Sequence, residues 1–597
     1  MNLLEFLRNR VDVIIQRNKL KPLEALDFLI GSSKEREDLL EKGPYMGVEI
    51  DDLKLDEAFR LYRNELLRVE NISTGDYYEE NNATGEPVFP DENTCWGYYY
   101  SRLVGKVSEE DLKRILKECN VINIQFLPQL AQIPDRRGLV IGQVQSGKTT
   151  IFNGIISRAA DIGFNVILIL SGTIESLRKQ TQNRIANDVT IPWGKKTDAP
   201  FYFTWISNFQ GSGLGVVGNA SIVLQDLNSH LRRQIAIGVF LKNGTVLANL
   251  IEFLKTINPA DAAHLRVLII DDEADQATPN AGVYKKTITK INGTIKNLVN
   301  RENGITCPTQ TRSSYLGFTA TPFANLLNEA GFHTLYPKDF IYFLRSSERY
   351  FGPWQLFGNP DEVEGEETII PIDVVRMLDN DDISGTVPIP KKKYDPIITH
   401  GLRKAILWFV MASAARRLKD SGIWSTMLIH TSSSTSDHQK LYTEVDKYLK
   451  RLGEDWTVSE PDWRNLWNEE ISRVTLESFS QAFPKYGEPT PSDYPLWEDV
   501  AKEIPNVIKD VKVRMDNSLA LAAGFCRLDY SENTPNSERL QIAIGGNTLS
   551  RGLTLEGLVS SYFARRFTKQ SAYDTLLQMG RWFGFRQGYE LLPRLWT

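Results

Sequence analysis

An α/β fold with two parallel-sheet domains behind a helical N-terminal domain is predicted by three observations. Short, nearly continuous apolar runs alternate with polar helical stretches from Gly138 onward. The runs have the length of strands and lack period-two alternation, as strands covered on both faces require. A loop bounded by glycines, Gly142-Gln143-Val144-Gln145-Ser146-Gly147-Lys148-Thr149, follows the first run and leads into a helical stretch.

At 597 residues the chain can hold several domains with large buried cores, which excludes a small binding module. Its 42% hydrophobic and 24% charged residues are those of a chain that folds over most of its length. The net charge of -6 supplies no global basic field, but a protein that grips phosphates with local amides, hydroxyls and a few cations needs none. Cys95, Cys119, Cys307 and Cys526 lie far apart, with no CxxC pair and no metal-ligand spacing to a histidine, and read as reduced and structural. Residues 1–10 mix charges with apolar side chains and lack a signal-peptide core, and no apolar run is long enough to span a bilayer. A cytoplasmic protein with no membrane partner is expected.

Leu3, Leu4, Leu7, Val11 and Ile14, then Leu55, Phe59, Tyr62 and Leu66, recur at helical spacing. After a polar stretch at 71–93, helical spacing resumes from Trp96 to about Gln132, and residues 1–137 read as one helical accessory domain. The runs Leu139–Ile141, Val166–Leu170, Phe201–Ile206, Ile235–Leu241, Val267–Ile270 and Tyr315–Phe318 define a first α/β domain at 138–345. Residues 346–399, with Asp361, Glu362, Glu364, Glu366, Glu367, Asp379, Asp381 and Asp382 before Lys391–Lys393, read as a linker or insertion. A second α/β domain, 400–597, has strands at Thr426–His430, Gln541–Ile544 and Leu558–Phe563, interrupted by an insertion at about 453–538.

The loop at 142–149 fits the phosphate-binding pattern G-x-x-x-x-G-K-[ST]. Gly142 and Gly147 let the backbone wrap so that amides from Gln145 and Ser146 through Thr150 face phosphates at a helix N-terminus. Lys148 then reaches the β- and γ-phosphates of ATP, and Thr149 coordinates Mg²⁺. The run Val267–Ile270 ends in Asp271-Asp272-Glu273-Ala274-Asp275. An acid at the end of a central strand holds Mg²⁺ and a neighbouring glutamate orients and deprotonates the attacking water, which assigns Asp272 to the metal and Glu273 to the water. Asp271 is the alternative for the metal.

Near the C-terminus, Gly545-Gly546-Asn547-Thr548-Leu549-Ser550-Arg551-Gly552 resembles helicase motif V, and that resemblance implies Gly552 toward the nucleotide and Thr548 and Ser550 toward a nucleic-acid backbone. Gln578 to Arg586 resembles helicase motif VI, and that resemblance implies that Arg581, Arg586 or both stabilise charge on the transferring phosphoryl group from across a cleft. Further backbone contacts are expected from Gly172, Thr173 and Arg178 after the second strand, and from Thr431, Ser432 and the serines up to Ser434. Serine and threonine serve equally as helix caps at such positions.

These motifs resemble one group. Asp272-Glu273-Ala274-Asp275 spells the DEAD box of helicases, Thr319-Ala320-Thr321 resembles their Ser/Thr-Ala-Thr motif, and the two C-terminal runs resemble helicase motifs V and VI. The usual motif VI reads G-R-x-G-R; this chain has one residue more before the second glycine and another after it. With the Gly-Gln-Val-Gln-Ser lead-in, Gly317 to Asn325 and Leu577 to Gly584, the chain from about 138 resembles the Z-one domain helicase-like ATPases of bacterial restriction-modification and phage-defence loci. The resemblance implies two RecA-like domains of a superfamily 2 core, DNA as the polymer, and partners such as a nuclease, a methyltransferase or a second ATPase. It also implies chain beyond Leu591–Thr597, where such proteins usually continue. An ATP-operated assembly switch and an RNA-remodelling ATPase are the rival readings. Pro360-Asp361 and Pro461-Asp462 begin a nuclease pattern, but neither is followed by a Glu-x-Lys on a strand, so cleavage by this chain is not expected.

Overall fold

The computed structural model describes residues 3–18, 22–45, 50–51, 54–56, 58–59, 91–125, 135–144, 146–207, 233–257, 265–279, 289–300, 312–322, 325–326, 335–358, 369–389, 393–516, 528, 530, 534–546, 555–565 and 579–597. The six apolar runs of the first unit all fold as strands: β1 (Asp135–Ile141), β2 (Val166–Ser171), β3 (Phe201–Trp205), β4 (Arg233–Leu241), β5 (Arg266–Asp271) and β6 (Arg312–Thr319). A seventh, β7 (Phe340–Phe343), completes a sheet in the order β3-β4-β2-β5-β6-β1-β7, parallel throughout.

Burial on both faces explains the unbroken apolar runs. Along β2, Ile167 and Ile169 enter one core with Val140, Ile155 and Leu268, whereas Val166, Leu168 and Leu170 enter the opposite core with Leu247, Leu250 and Ile295. The first of these cores also takes the helices Cys95–Leu103 and Glu109–Ile124. They close on the helix Lys148–Ile162 at Gly154, where a Cβ would stand 2.6 Å from Cys119 Sγ and 2.8 Å from the Trp96 ring. The Asp161 carboxylate accepts from the amides of Cys95 and Trp96 at 2.9 and 2.8 Å. Residues 95–124, expected in a separate helical domain, therefore belong to the hydrophobic core of the first sheet. The helices Leu3–Asn18, Pro22–Gly31 and Ser33–Tyr45 have their own core of Leu7, Val11, Ile14, Leu26, Leu29 and Leu39, flanked by ion pairs of Arg10 with Glu35 and Asp38.

Further along the chain come β8 (Tyr350–Phe351), β9 (Val375–Arg376), β10 (Ser425–His430), β11 (Lys512–Asp516), β12 (Leu540–Gly545), β13 (Leu558–Phe563), β14 (Gly584–Phe585) and β15 (Arg594–Trp596). Six of them make the second parallel sheet, in the order β11-β12-β10-β13-β15-β9, and β8 pairs with β14 as an antiparallel ribbon. The three runs expected here fall in β10, β12 and β13. The stretch read as an insertion supplies the edge strand β11, and the stretch read as a linker supplies β9. The helix Thr435–Arg473 runs on past residue 453 with Pro461 inside it, so Pro461-Asp462 stands on a helix. Pro360-Asp361 lies outside the described residues. The helix His400–Arg417, with 14 buried positions, is apolar on all sides and forms the centre of this unit's core.

Among the described residues, no helix is long and apolar enough to cross a membrane. Cys95 and Cys119 are buried free thiols, and Cys307 and Cys526 lie outside the described residues.

One buried acid joins three elements of the second unit. Glu470, on the long helix, meets Arg376 of β9 at 2.5 Å and Arg594 of β15 at 2.7 Å. Burial alone would raise its pKa, but the Arg376 and Arg594 guanidiniums outweigh burial and hold the carboxyl below its ordinary value. Glu470→Leu leaves the buried Arg594 guanidinium without its counter-charge and Arg376 with Asp373 alone, and is expected to remove about 3–5 kcal/mol of stability in urea unfolding. A loss below about 1 kcal/mol would show that the pairs do not hold β9 and β15 to the helix.

Candidate active site

Parallel sheets gather ligands at the carboxyl ends of their strands. In the first sheet the ends of β1, β2, β4, β5 and β6 converge there. Gly147 caps the helix Lys148–Ile162 with φ +83°, a left-handed conformation that glycine adopts without a Cβ penalty. The loop amides thereby reach the helix N-terminus, where partial positive charge accumulates. Lys148 Nζ folds over the loop and donates to the Gly142 and Gln143 carbonyls, each at 3.1 Å. Burial lowers the Lys148 pKa, opposed by the charges of Glu273, Asp272 and Asp275. The Ser146 hydroxyl is buried with no hydrogen-bond partner among the described residues, and Thr149 and Thr150 line the same cleft in the first turn of the helix. Gln145 lies outside the described residues.

The structure separates the two adjacent aspartates. Asp271 is fully buried, with one carboxylate oxygen 2.8 Å from Lys242 Nζ and the other accepting from Thr278 Oγ1 and Tyr315 OH at 2.7 Å each. Its charge is paired within the fold, Oδ2 by two hydroxyls and Oδ1 by the ammonium alone among the described residues. Asp272 lines the cleft instead, and burial together with the Glu273 charge pushes its pKa up to about 6 against the pull of Lys242 and Lys148. Glu273 follows with φ +53°, a conformation that costs a non-glycine residue about 1–3 kcal/mol and persists only where neighbours enforce it.

Hydroxyls from the end of β6 tie this turn in place. Thr319 and Thr321 donate to the two oxygens of Asp275 at 2.7 and 3.1 Å, and the Ala274 amide donates to the Phe318 carbonyl at 2.8 Å. Asp272 to Asp275 and Thr319 to Thr321 thus form one bonded unit.

The second unit supplies the opposite wall. Glu556, Gly557, Arg581, Phe585, Arg586 and Tyr589 face the phosphate loop and the acids across a cleft of about 480 Å³. Arg581 is buried, and its charge bears on Lys148. Arg586 wraps its own turn, donating to the carbonyls of Trp582 and Phe583 at 2.8 Å, Phe585 at 3.0 Å and Arg581 at 3.3 Å. The two arginines therefore differ: Arg586 shapes the turn that carries Arg581. On the outer side of the phosphate loop, the Tyr350 hydroxyl donates to the Val144 carbonyl at 2.5 Å, which fastens the β8/β14 ribbon to the loop.

Several residues expected to touch a polymer have other work. Arg178 is buried, bound to Glu175 at 2.7 and 2.9 Å, to Gln182, and to the Val239 carbonyl at 3.3 Å, so its guanidinium is not available to a phosphate. Ser432 Oγ donates to Asp437 at 2.8 Å and accepts from the Ser434 amide at 3.0 Å, which fixes the start of the long helix, and Thr431 is buried beside it. Gly172 lines the cleft and Thr173 is exposed. Thr548, Ser550 and Gly552 lie outside the described residues. Lys242 escaped the sequence reading; its signal was a lysine set directly after an apolar run, at the carboxyl end of a strand.

Comparison with known proteins bears first on the second sheet. Residues 401–597 match the Z1 domain family. No curated protein matches the sequence. Among solved structures, Dbp5 of S. cerevisiae bound to RNA and ADP BeF3 aligns at 12% identity and TM-score 0.35, over 81% of this chain and 86% of that one. The DUF1998 helicase MrfA bound to DNA and AMPPNP aligns at 13% identity and TM-score 0.35, over 82% and 50%. A DEAD box protein of Methanococcus jannaschii aligns at 12% identity and TM-score 0.27, over 82% and 90%.

The burial of Arg178 has a measurable consequence. Arg178→Ala is expected to lower the urea unfolding midpoint, with a loss of about 1–3 kcal/mol, because it strips hydrogen bonds from Glu175 and Gln182. The salt dependence of nucleic-acid binding should be unchanged; a slope reduced by about 1 would return Arg178 to the phosphate-contacting set.

Proposed function

We propose that this chain is an ATP-hydrolysing, helicase-like motor acting on DNA within a restriction-modification or anti-phage defence system. One observation carries the ATPase reading: Lys148, Thr149, Asp272 and Glu273 from the first sheet share a single cleft with Arg581 from the second. A nucleotide between two domains, here taken as about 138–345 and 400–597, is completed only when both walls meet it. Hydrolysis is thereby coupled to relative movement.

The residues fit ATP and Mg²⁺. The loop amides and the Ser146 hydroxyl, unpartnered among the described residues, suit phosphate oxygens, and Thr149 with Asp272 is a hard-oxygen donor pair of the kind Mg²⁺ takes alongside phosphates. When bound, Mg²⁺ neutralises charge on the β- and γ-phosphates. Lys148 binds the same phosphates, and Glu273 orients the attacking water and accepts its proton. Attack at the γ-phosphorus breaks the bond to the β-bridging oxygen and releases ADP and phosphate. Arg581 stabilises the charge that develops, and Arg586 holds the turn that presents it.

The Z1 match over 401–597 agrees with the family resemblance in that part of the chain. Action on DNA, and partnership with a nuclease, methyltransferase or second ATPase, rest on that resemblance. Gly172 and Thr173, with Thr548 and Ser550, are the polymer contacts we retain, and Gly552 the second unit's contact to the nucleotide. An ATP-operated assembly switch would carry the same cleft.

Hydrolysis rate measured without polymer and with single-stranded DNA, duplex DNA or RNA separates these readings. DNA is expected to stimulate the wild type, and Lys148→Ala and Arg581→Ala are each expected to lower the rate by about a hundredfold or more. A wild-type rate that no polymer alters would favour the switch, and stimulation by RNA alone would favour RNA remodelling.

Asp272 sets a pH dependence. Its carboxyl must be ionised to bind the metal, and with its pKa at about 6 it becomes protonated as pH falls through that value. At sub-saturating Mg²⁺, the rate is expected to fall about tenfold per pH unit below that value, with excess Mg²⁺ moving the decline to lower pH. A flat profile between pH 5 and 7, roughly the range over which a carboxyl so raised changes charge, would remove Asp272 from the metal site.

A further inference from the structure

Lys242 is a buried cation that neither the phosphate loop nor the arginine wall uses. It follows β4, and its side chain is fully inaccessible. Its amide donates to the carbonyls of Ser171 and Gly172 at 3.2 Å each, pinning the end of β4 to the end of β2. From there its four-carbon stem passes the end of β2 to reach the turn after β5, since β2 lies between β4 and β5 in the sheet. The ammonium meets Asp271 at 2.8 Å, and also donates to the Asp272 carbonyl at 2.8 Å and the Glu273 carbonyl at 2.6 Å.

Neutralising Asp271 accounts for one of these contacts. The other two go to consecutive main-chain carbonyls of the acid turn, one of them belonging to Glu273 at its positive φ. An ammonium has three donors in a compact tetrahedral head; besides the two carbonyls, Lys242 Nζ donates to Thr278 Oγ1 at 3.4 Å, and its contact with Asp271 Oδ1 is an ion pair. The planar fork of an arginine does not present donors in this arrangement.

We propose that Lys242 is a positioning residue for hydrolysis. By holding the Asp272 and Glu273 carbonyls it fixes the left-handed turn that aims Glu273 at the attacking water, and it links that aim to the ends of β2 and β4. The proposal rests on the ATPase reading above.

The test is a set of variants assayed for hydrolysis, with nucleotide KM and thermal unfolding measured on each. Lys242→Met alone strands Asp271 as a buried charge and is expected to unfold easily, so the informative protein is Lys242→Met/Asp271→Asn, which removes both charges. That double variant is expected to fold, to keep its KM for ATP within about threefold, and to lose kcat by about tenfold or more. Added to Glu273→Gln, the same pair of changes should lower the residual rate by less than about threefold, because Lys242 acts through Glu273. Tyr315→Phe removes a hydroxyl on Asp271 but leaves every contact of the ammonium in place, and should keep kcat within about threefold. This variant carries the test if the first does not fold: a tenfold loss in it would assign the effect to Asp271 and overturn the proposal. Recovery of wild-type kcat in Lys242→Met/Asp271→Asn would overturn it too, leaving Lys242 as a counter-charge. A wild-type protein that hydrolyses no ATP would instead overturn the ATPase reading and this inference together, and is told apart by that wild-type rate alone.

Discussion

Two opposite charges with no access to water, Asp271 and Lys242, set the geometry on which the rest of the cleft depends. A buried carboxylate costs several kcal/mol unless it is paired and fully hydrogen-bonded, so wherever Asp271 goes, Lys242, Thr278 and Tyr315 must follow. That requirement joins β4, β5 and β6 toward the carboxyl end of the sheet. It leaves the next residue, Asp272, turned toward the cleft. Conformational strain at Glu273 persists because this network and the Thr319 and Thr321 hydroxyls leave the turn no easier shape.

The second unit uses the same physics at Glu470, where Arg376 and Arg594 converge from two strands. It is organised by one buried acid and the first by one buried pair, and the acid draws into its sheet the short strands β9 and β15, which their sequences alone would not mark. Between the two units the contacts change in kind. The β8/β14 ribbon and the Tyr350 bond to Val144 fasten the loop from outside, while Arg581 faces it from within. The cleft is assembled from both units.

How much was legible in the sequence follows from these forces. Strands buried on both faces betray themselves as apolar runs, so β1 to β6, β10, β12 and β13 could be read directly. The strands β7, β9 and β15 span only two to four residues, too short to show any period, and β11 mixes Lys512 and Arg514 with apolar residues because it lies at a sheet edge. The phosphate loop and the acids were readable because their spacing is fixed by chemistry. Arg178 misled for the converse reason: a charged residue after a strand looks available, and nothing local reveals that Glu175, Gln182 and Val239 enclose it. Lys242 was invisible because its importance lies in what it reaches across β2. Choosing between Asp271 and Asp272 needs knowledge of which carboxylate is already paired, and separating Arg586 from Arg581 needs the contacts that Arg586 makes within its own turn; spacing carries neither.

The close approach at Gly154 bears on where this protein can be divided. The helix that begins at Lys148 has its back covered by Trp96 and Cys119, and Asp161 near its far end holds the amides that start the helix Cys95–Leu103. A fragment cut at Gly138, where the phosphate-loop motif first becomes recognisable, would expose the apolar side of that helix to water and leave Asp161 without its two donors. The smallest piece able to keep its nucleotide loop in shape therefore starts before Cys95, some fifty residues ahead of the motif, on the scale of a typical supersecondary unit.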